Sequence, residues 1–155
     1  MTAVLQRVKR ATVWADGEWS GACEEGLLIL LGVMTEDGEE DARLLADKIA
    51  RLRIFSDEAG KMNCSLADID GSVLVISNFT LAANYSHGNR PDYMAAAKPD
   101  AANELYEYFV SLMREGLSHV ATGVFGADMR VLLEGDGPVT IVMDSRVLRA
   151  KEKSK

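Results

Sequence analysis

Cysteine is scarce in this chain of 155 residues, with only Cys23 and Cys64 present. Neither belongs to a C-x-x-C pair, which excludes a disulfide framework and any zinc site of recognisable spacing. The two histidines, His87 and His119, have no Cys, His or carboxylate at ligand spacing, so they are expected on the surface or in loops and no metal is expected. Long apolar runs are also missing. None approaches the ~20 residues that span a bilayer, and the opening MTAVLQRVKRATV alternates instead of forming the apolar centre of a signal peptide. The expected compartment is a reducing cytoplasm. Positive charge is short as well: 17 Lys and Arg against 24 Asp and Glu give a net charge of −7. That balance argues against a general nucleic-acid coat, because phosphate binding draws on clustered cations. Arg146, Arg149, Lys151, Lys153 and Lys155 crowd the C-terminus against Glu152 alone, and residues 145–155 are expected to form a solvated, frayed tail.

What is present fits one domain. Hydrophobic residues make up 48% and charged residues 26%, as in an ordinary globular core and surface. Ala3 to Ala15 alternates as strand, Asp16-Gly17 signals a hairpin, and Leu27 to Val33 has the continuous apolar character of a buried strand. These predict an antiparallel meander. Asp37 with Glu40 forms a capping box for a helix to about Arg53, with Leu45, Ile49 and Leu52 on one face. Ser56 to Asn63 reads as loop. Ala82 to Lys98 lacks a period and is a long connection of the kind that is usually functional or mobile. Asp100 is placed to cap a second helix carrying Leu105, Phe109 and Leu112 and ending at Gly116. Met129 to Leu133 and Val139 to Met143 read as two strands about a Gly135-Asp136-Gly137 turn. Strands, helix, strand, helix and strands in that order give an α+β fold with two main helices.

The stretch of most chemical interest is Gly71 to Leu81. Val73 to Ile76 is a short β-branched run that turns abruptly into Ser77, Asn78, Phe79 and Thr80. A rigid strand ending in hydroxyls and an amide is a place where folds hold reacting groups. Ser77 and Thr80 are candidate nucleophiles, but neither G-x-S-x-G nor S-x-x-K surrounds them. Hydrogen bonding to backbone as the strand ends explains them equally well. Gly137-Pro138, at a strand entry, is a pair that adopts either peptide isomer at modest cost.

Five segments then converge on one family. QRVKRATV (Gln6 to Val13), RIFSD (Arg53 to Asp57), GKMN (Gly60 to Asn63), SNFTLAA (Ser77 to Ala83) and DGPVT (Asp136 to Thr140) occur in register. The chain thereby resembles the D-aminoacyl-tRNA deacylases over residues 1–144, leaving 145–155 outside the resemblance. The resemblance implies a homodimer with a barrel-like core that hydrolyses the ester joining a D-amino acid, or glycine, to the 3′ end of tRNA, without a cofactor. It implies that Ser77, Phe79 and Thr80 line the pocket for the terminal adenosine. It implies further that Gly137-Pro138 is cis and enters the other subunit's pocket, where its carbonyls exclude an L side chain, and that Arg7 holds that loop. One position departs from the family. Asn78 stands where Gln is usual, which is tolerable if the backbone amide is the group in use, as oxyanion sites commonly arrange. With no histidine or lysine in the SNFTL segment to activate Thr80, the expectation is hydrolysis assisted by the RNA's 2′-OH, with amides of Asn78 to Thr80 holding the oxyanion. The competing possibilities are a Thr80 acyl-enzyme, a simple esterase, or a non-catalytic nucleic-acid-binding protein of the same fold.

Overall fold

The alternating N-terminal stretch becomes β1, Thr2–Ala15, in a computed structural model that describes residues 1–154. Asp16 and Gly17 turn it with φ of 49° and 85°, the left-handed pair a two-residue hairpin requires. β2, Glu18–Cys23, returns along the far half of β1, and β3, Gly26–Gly32, pairs with its near half from Thr2 to Val8. β6, Ser72–Ser77, then lies parallel to β3, and β7, His119–Thr122, parallel to β6. Parallel strands buried on both faces carry apolar runs without alternation, and Val73, Leu74, Val75 and Ile76 are all buried. The sheet curls until Ser20 Oγ of β2 donates to the Thr122 carbonyl of β7 at 3.0 Å, which nearly closes a barrel. Val8, Ala11, Val13, Leu28, Leu74 and Ile76 fill its inside. Cys23 lies there too, where burial pushes its thiol up to about 11 and leaves it inert.

Two helices cover the outer face. α1, Glu39–Arg51, buries Leu45 and Ile49, and α2, Pro99–Gly116, buries Tyr106, Phe109 and Met113 over Ile29, Val73 and Val75. Their starts differ from expectation. Gly38, not Asp37, is the N-cap of α1, and its amide donates to Asp41 Oδ2 at 2.9 Å. Asp37 is drawn away instead to accept from the Met34 amide and the Met1 ammonium. α2 begins with Pro99 after Lys98 rather than at an Asp100 cap. Proline fits there because the first helical N–H has no partner to lose. The Ser56–Asn63 loop is the tip of a small hairpin, β4 (Phe55–Ser56) with β5 (Met62–Cys64).

The C-terminal region departs further. The two strands expected between Met129 and Met143 are one, β8, Met129–Asp144, paired antiparallel with β1 on both sides of an unpaired insertion at Asp136 to Val139. What was expected to be a frayed tail is instead α3, Ser145–Glu152; Lys155 lies outside the described residues. Ser145 is fully buried and donates to Asp41 Oδ1 at 2.6 Å, while Arg149 stands 3.1 Å from the same oxygen. Tertiary anchoring of one face, invisible in the local sequence, is what holds so short a helix.

That anchor carries a pH dependence. Burial by itself would raise the Asp41 pKa, but the Ser145 hydroxyl, the Gly38 amide, the N-terminal ammonium and Arg149 together hold it below the ordinary carboxylate value. A folded pKa below the unfolded one contributes stability above the unfolded value, and that stability is lost as pH falls through the folded one. Asp41→Asn is therefore expected to cost about 1–3 kcal/mol at neutral pH, with the gap to wild type closing below about pH 4. Urea titrations at both pH values check this, and a gap of constant size would contradict it.

Candidate functional site

Ser77 closes β6 opposite Leu31, and Asn78 adds one more rung by donating its amide to the Leu31 carbonyl at 2.8 Å. The chain then tightens into a 3₁₀ turn, Phe79–Ala82, with Leu81 N bonded to Asn78 O and Ala83 N to Thr80 O. The first amides of a helical turn have no partner within it. Among the described residues, neither the Phe79 nor the Thr80 amide donates to a backbone carbonyl. The open donors are thus Phe79 and Thr80. Asn78, expected to share in that role, has its amide already engaged.

The side chains around these donors are arranged without a base. Thr80 Oγ1 donates to Asn78 Oδ1 at 2.6 Å, and an amide oxygen is no proton acceptor for catalysis. Among the described residues no carboxylate, lysine or histidine is hydrogen-bonded to Ser77 or Thr80. Phe79 is 60% exposed and meets Tyr93 edge-on, with ring centroids 5.1 Å apart.

On the α2 side of β6 lies a cleft of ≈ 500 Å³ lined by Tyr106, Phe125, Asn103, Arg114 and the Thr122–Gly123 backbone. The Tyr106 hydroxyl and the Gly123 amide both donate to the Val75 carbonyl, at 2.8 and 3.3 Å. Burial raises the Tyr106 phenol to about 12, so it stays a neutral donor. Sequence reasoning missed Tyr106 and Phe125, which no motif marks, and it missed β7 because HVAT is short and half-buried.

Gly137-Pro138 sits in a bulge of β8. The register pairs Gln6 with Thr140 and Val8 with Gly135, so Arg7 alone faces the inserted Asp136 to Val139. The Gly137-Pro138 peptide is cis, and Gly137 takes φ +152°, where an added Cβ would stand 2.3 Å from Val139 N. Arg7 fastens the bulge. Its Nε donates to the Asp136 carbonyl at 3.0 Å and its Nη1 to the Ile54 carbonyl at 2.8 Å. The Asp136 carboxylate lies 3.3 Å from Arg7 and 3.6 Å from Lys9.

The bulge and the 3₁₀ turn are not neighbours within one chain. Register runs from Ser77 to Leu31, to Ala3, to Met143. Gly137-Pro138 therefore lies three strand spacings across and five to six residues along from Ser77, roughly 20–25 Å away along the sheet. Along β8, Leu132, Leu133 and Val142 are exposed by 55%, 41% and 70%.

With this geometry in place, comparison with known proteins is decisive: the family described as D-Tyr-tRNA(Tyr) deacylase matches residues 4–144. The chain belongs to the D-aminoacyl-tRNA deacylase family. A D-aminoacyl-tRNA deacylase of Anaeromyxobacter dehalogenans is 57% identical over 148 residues, covering 96% of this chain and 99% of that one. Another from Thermus aquaticus is 55% identical, with 94% and 95% covered. Among solved structures, a c-Myc DNA unwinding element binding protein aligns with TM-score 0.88 at 37% identity, over 93% of this chain and 98% of that one. A probable eukaryotic D-amino acid tRNA deacylase aligns at TM-score 0.82 and 15% identity, which shows the deacylase fold alone. Among the described residues, no group of three or more His, Cys, Asp or Glu could hold a metal, and no helix is long and apolar enough to cross a membrane.

Proposed function

We propose that this chain hydrolyses D-aminoacyl-tRNA, and glycyl-tRNA mischarged on tRNA-Ala, while rejecting L-aminoacyl-tRNA. The observation that carries the mechanism is the pair of open amides at Phe79 and Thr80, set beside an exposed ring and without a base on Thr80. Water adds to the ester carbonyl carbon and the negative charge on its oxygen is met by the two amides. The neighbouring 2′-OH relays a proton from that water to the departing O3′, releasing free amino acid and intact tRNA. Preorganised donors of this kind are commonly worth 10²–10³ in rate. Phe79 supports the terminal adenosine, Ser77 lines its pocket, and Asn78 and Thr80 brace each other. The cleft beside Val75 gives room for a bound group.

Chiral selection is assigned to Gly137-Pro138 of a second copy. The separation of bulge and turn within one chain favours a homodimer, and the exposed Leu132, Leu133 and Val142 supply apolar surface for it. Fixed carbonyls of the bulge would occupy the space of an L side chain and accept from the substrate's amino group, with Arg7 holding them in place. Glycine has no side chain to exclude and passes. Such exclusion outweighs the ~1–3 kcal/mol per methylene that an apolar pocket supplies. A cytoplasmic location follows from the substrate, and the free Cys23 and Cys64 are compatible with it.

Deacylation of matched D-tyrosyl-, glycyl- and L-tyrosyl-tRNA is the test. Rapid hydrolysis of the first two with no appreciable turnover of the third is expected, and comparable rates on the L substrate would overturn the assignment. A non-catalytic nucleic-acid role has one observation in its favour, the DNA-binding name of the 37% identical relative. Binding of tRNA without turnover of any ester would establish it instead.

A further inference from the structure

The segment from Ala83 to Lys98 has almost no regular structure, yet it is fixed at both ends. Asn84 and Asp92 exchange backbone hydrogen bonds of 2.8 and 3.0 Å, closing the neck of a projecting loop. Asn84 Oδ1 accepts from both the amide and the hydroxyl of Ser86. The exit leg is stapled to the end of β3, with Thr35 N bonded to Ala95 O and Ala97 N to Val33 O, each at 3.0 Å. At the neck, Tyr93 meets the ring of Phe79, so the loop starts where the candidate site ends.

Two properties of this loop call for an occupant. Tyr85 is 80% exposed one residue beyond the neck, a large ring held in water at a fixed place. The local charge also reverses that of the molecule. In a chain of net charge −7, residues 83–98 carry Arg90 and Lys98 against Asp92 alone. Asp92 Oδ1 accepts from the Met94 amide. Among the described residues neither Arg90 nor Lys98 enters an ion pair. Exposed aromatic faces interleaved with unpaired cations match single-stranded nucleic acid, whose bases stack while its phosphates pair.

We infer that the Asn84–Asp92 loop grips the unpaired 3′ end of tRNA, Tyr85 stacking on a base that precedes the terminal adenosine and Arg90 pairing with a backbone phosphate. This rests on the hydrolysis proposed above and adds the residues that read the RNA beyond the ester. The loop's continuity with Phe79 and its reversed charge are what favour RNA over a second copy of the chain.

Kinetics on two substrates test it: D-tyrosyl-tRNA, and D-tyrosyl-adenosine, which carries the ester and the last nucleoside but nothing before them. Tyr85→Ala is expected to raise KM for the tRNA roughly 5- to 100-fold with kcat held, with no matching rise for the adenosine ester, and Tyr85→Trp to restore it. Arg90→Ala is expected to raise the same KM and flatten its salt dependence, by about 0.7 in log–log slope for one single-stranded phosphate contact. Equal KM rises on both substrates, or no rise on either, would overturn the inference. So would a change of oligomeric state in Tyr85→Ala, which would assign the loop to a second copy. Wild-type protein inactive on both esters would overturn the proposed hydrolysis, and this inference with it.

Discussion

D-tyrosyl-tRNA ending in 2′-deoxyadenosine is expected to be hydrolysed at least about 100-fold more slowly than its ribose counterpart, because a positioned proton relay contributes about 10²–10⁴ to such reactions. Thr80→Ala, by contrast, is expected to remain within about tenfold of wild type, the ordinary scale for losing a bracing hydrogen bond. A hydroxyl attacks an ester only when something takes its proton. Thr80 Oγ1 gives its hydrogen bond to Asn78 Oδ1 at 2.6 Å, an oxygen too weakly basic to receive a proton. On the proposed mechanism the proton transfer comes from the substrate's own 2′-OH. On that reading the protein's share is the donor pair; Phe79→Pro removes one donor together with the ring, and Phe79→Leu, which keeps the amide, isolates the ring's part. Asn78, which precedes Phe79, is extended with φ of −147° and ψ of 90°, outside the α region that proline disfavours in its predecessor. Proline is also well accepted at the first position of a helical turn. Phe79→Pro is expected to fall roughly 100- to 1000-fold in kcat below Phe79→Leu. A dead Thr80→Ala with a fully active deoxy substrate would establish an acyl-enzyme instead.

Asn78 illustrates how far sequence carries at this site. The family's usual Gln is absent, and the backbone was expected to serve in its place. The strand does present backbone donors, but the Asn78 amide extends the β3–β6 ladder to Leu31, so the open pair begins one residue later. Register decides that, and register between parallel strands leaves no trace in runs as uniform as Leu27–Leu31 and Val73–Ile76. The same limit explains Asp37, a well-formed capping signal that is engaged instead by the Met34 amide and the Met1 ammonium. It explains α3 as well, since Ser145 and Arg149 find Asp41 only through the fold. The hairpin turn, the amphipathic faces and the end of α2 were legible because their causes are local: Asp16-Gly17, the Leu45–Ile49 spacing, and the Gly116 stop. The bulge at Gly137-Pro138 was legible as a turn. Its placement opposite Arg7, deep within one long strand, required the pairing of β1 with β8.

That placement yields the sharpest expectation for the assembly. The 3₁₀ turn and the Gly137-Pro138 bulge lie roughly 20–25 Å apart along the sheet of one chain, so the proposed site using both would draw one from each of two copies. Two variants damage the halves separately: Phe79→Pro in the 3₁₀ turn, and Gly137→Ala in the bulge. An alanine Cβ at Gly137 would stand 2.3 Å from Val139 N at φ +152°, so the bulge must move. Each pure variant is expected to be nearly inactive on D-tyrosyl-tRNA. Mixed in equal amounts under conditions of subunit exchange, half of the dimers pair one chain of each kind. In a two-fold symmetric dimer with crossed sites, one site of each mixed dimer collects both intact halves and the other collects both damaged halves. Activity should recover to about a quarter of wild type. Sites built within single chains would recover nothing, because every chain in the mixture is damaged. Activity that stays at the level of the separate variants, with exchange verified by a mass-labelled subunit, would assign both halves to one chain and remove the second copy from chiral selection.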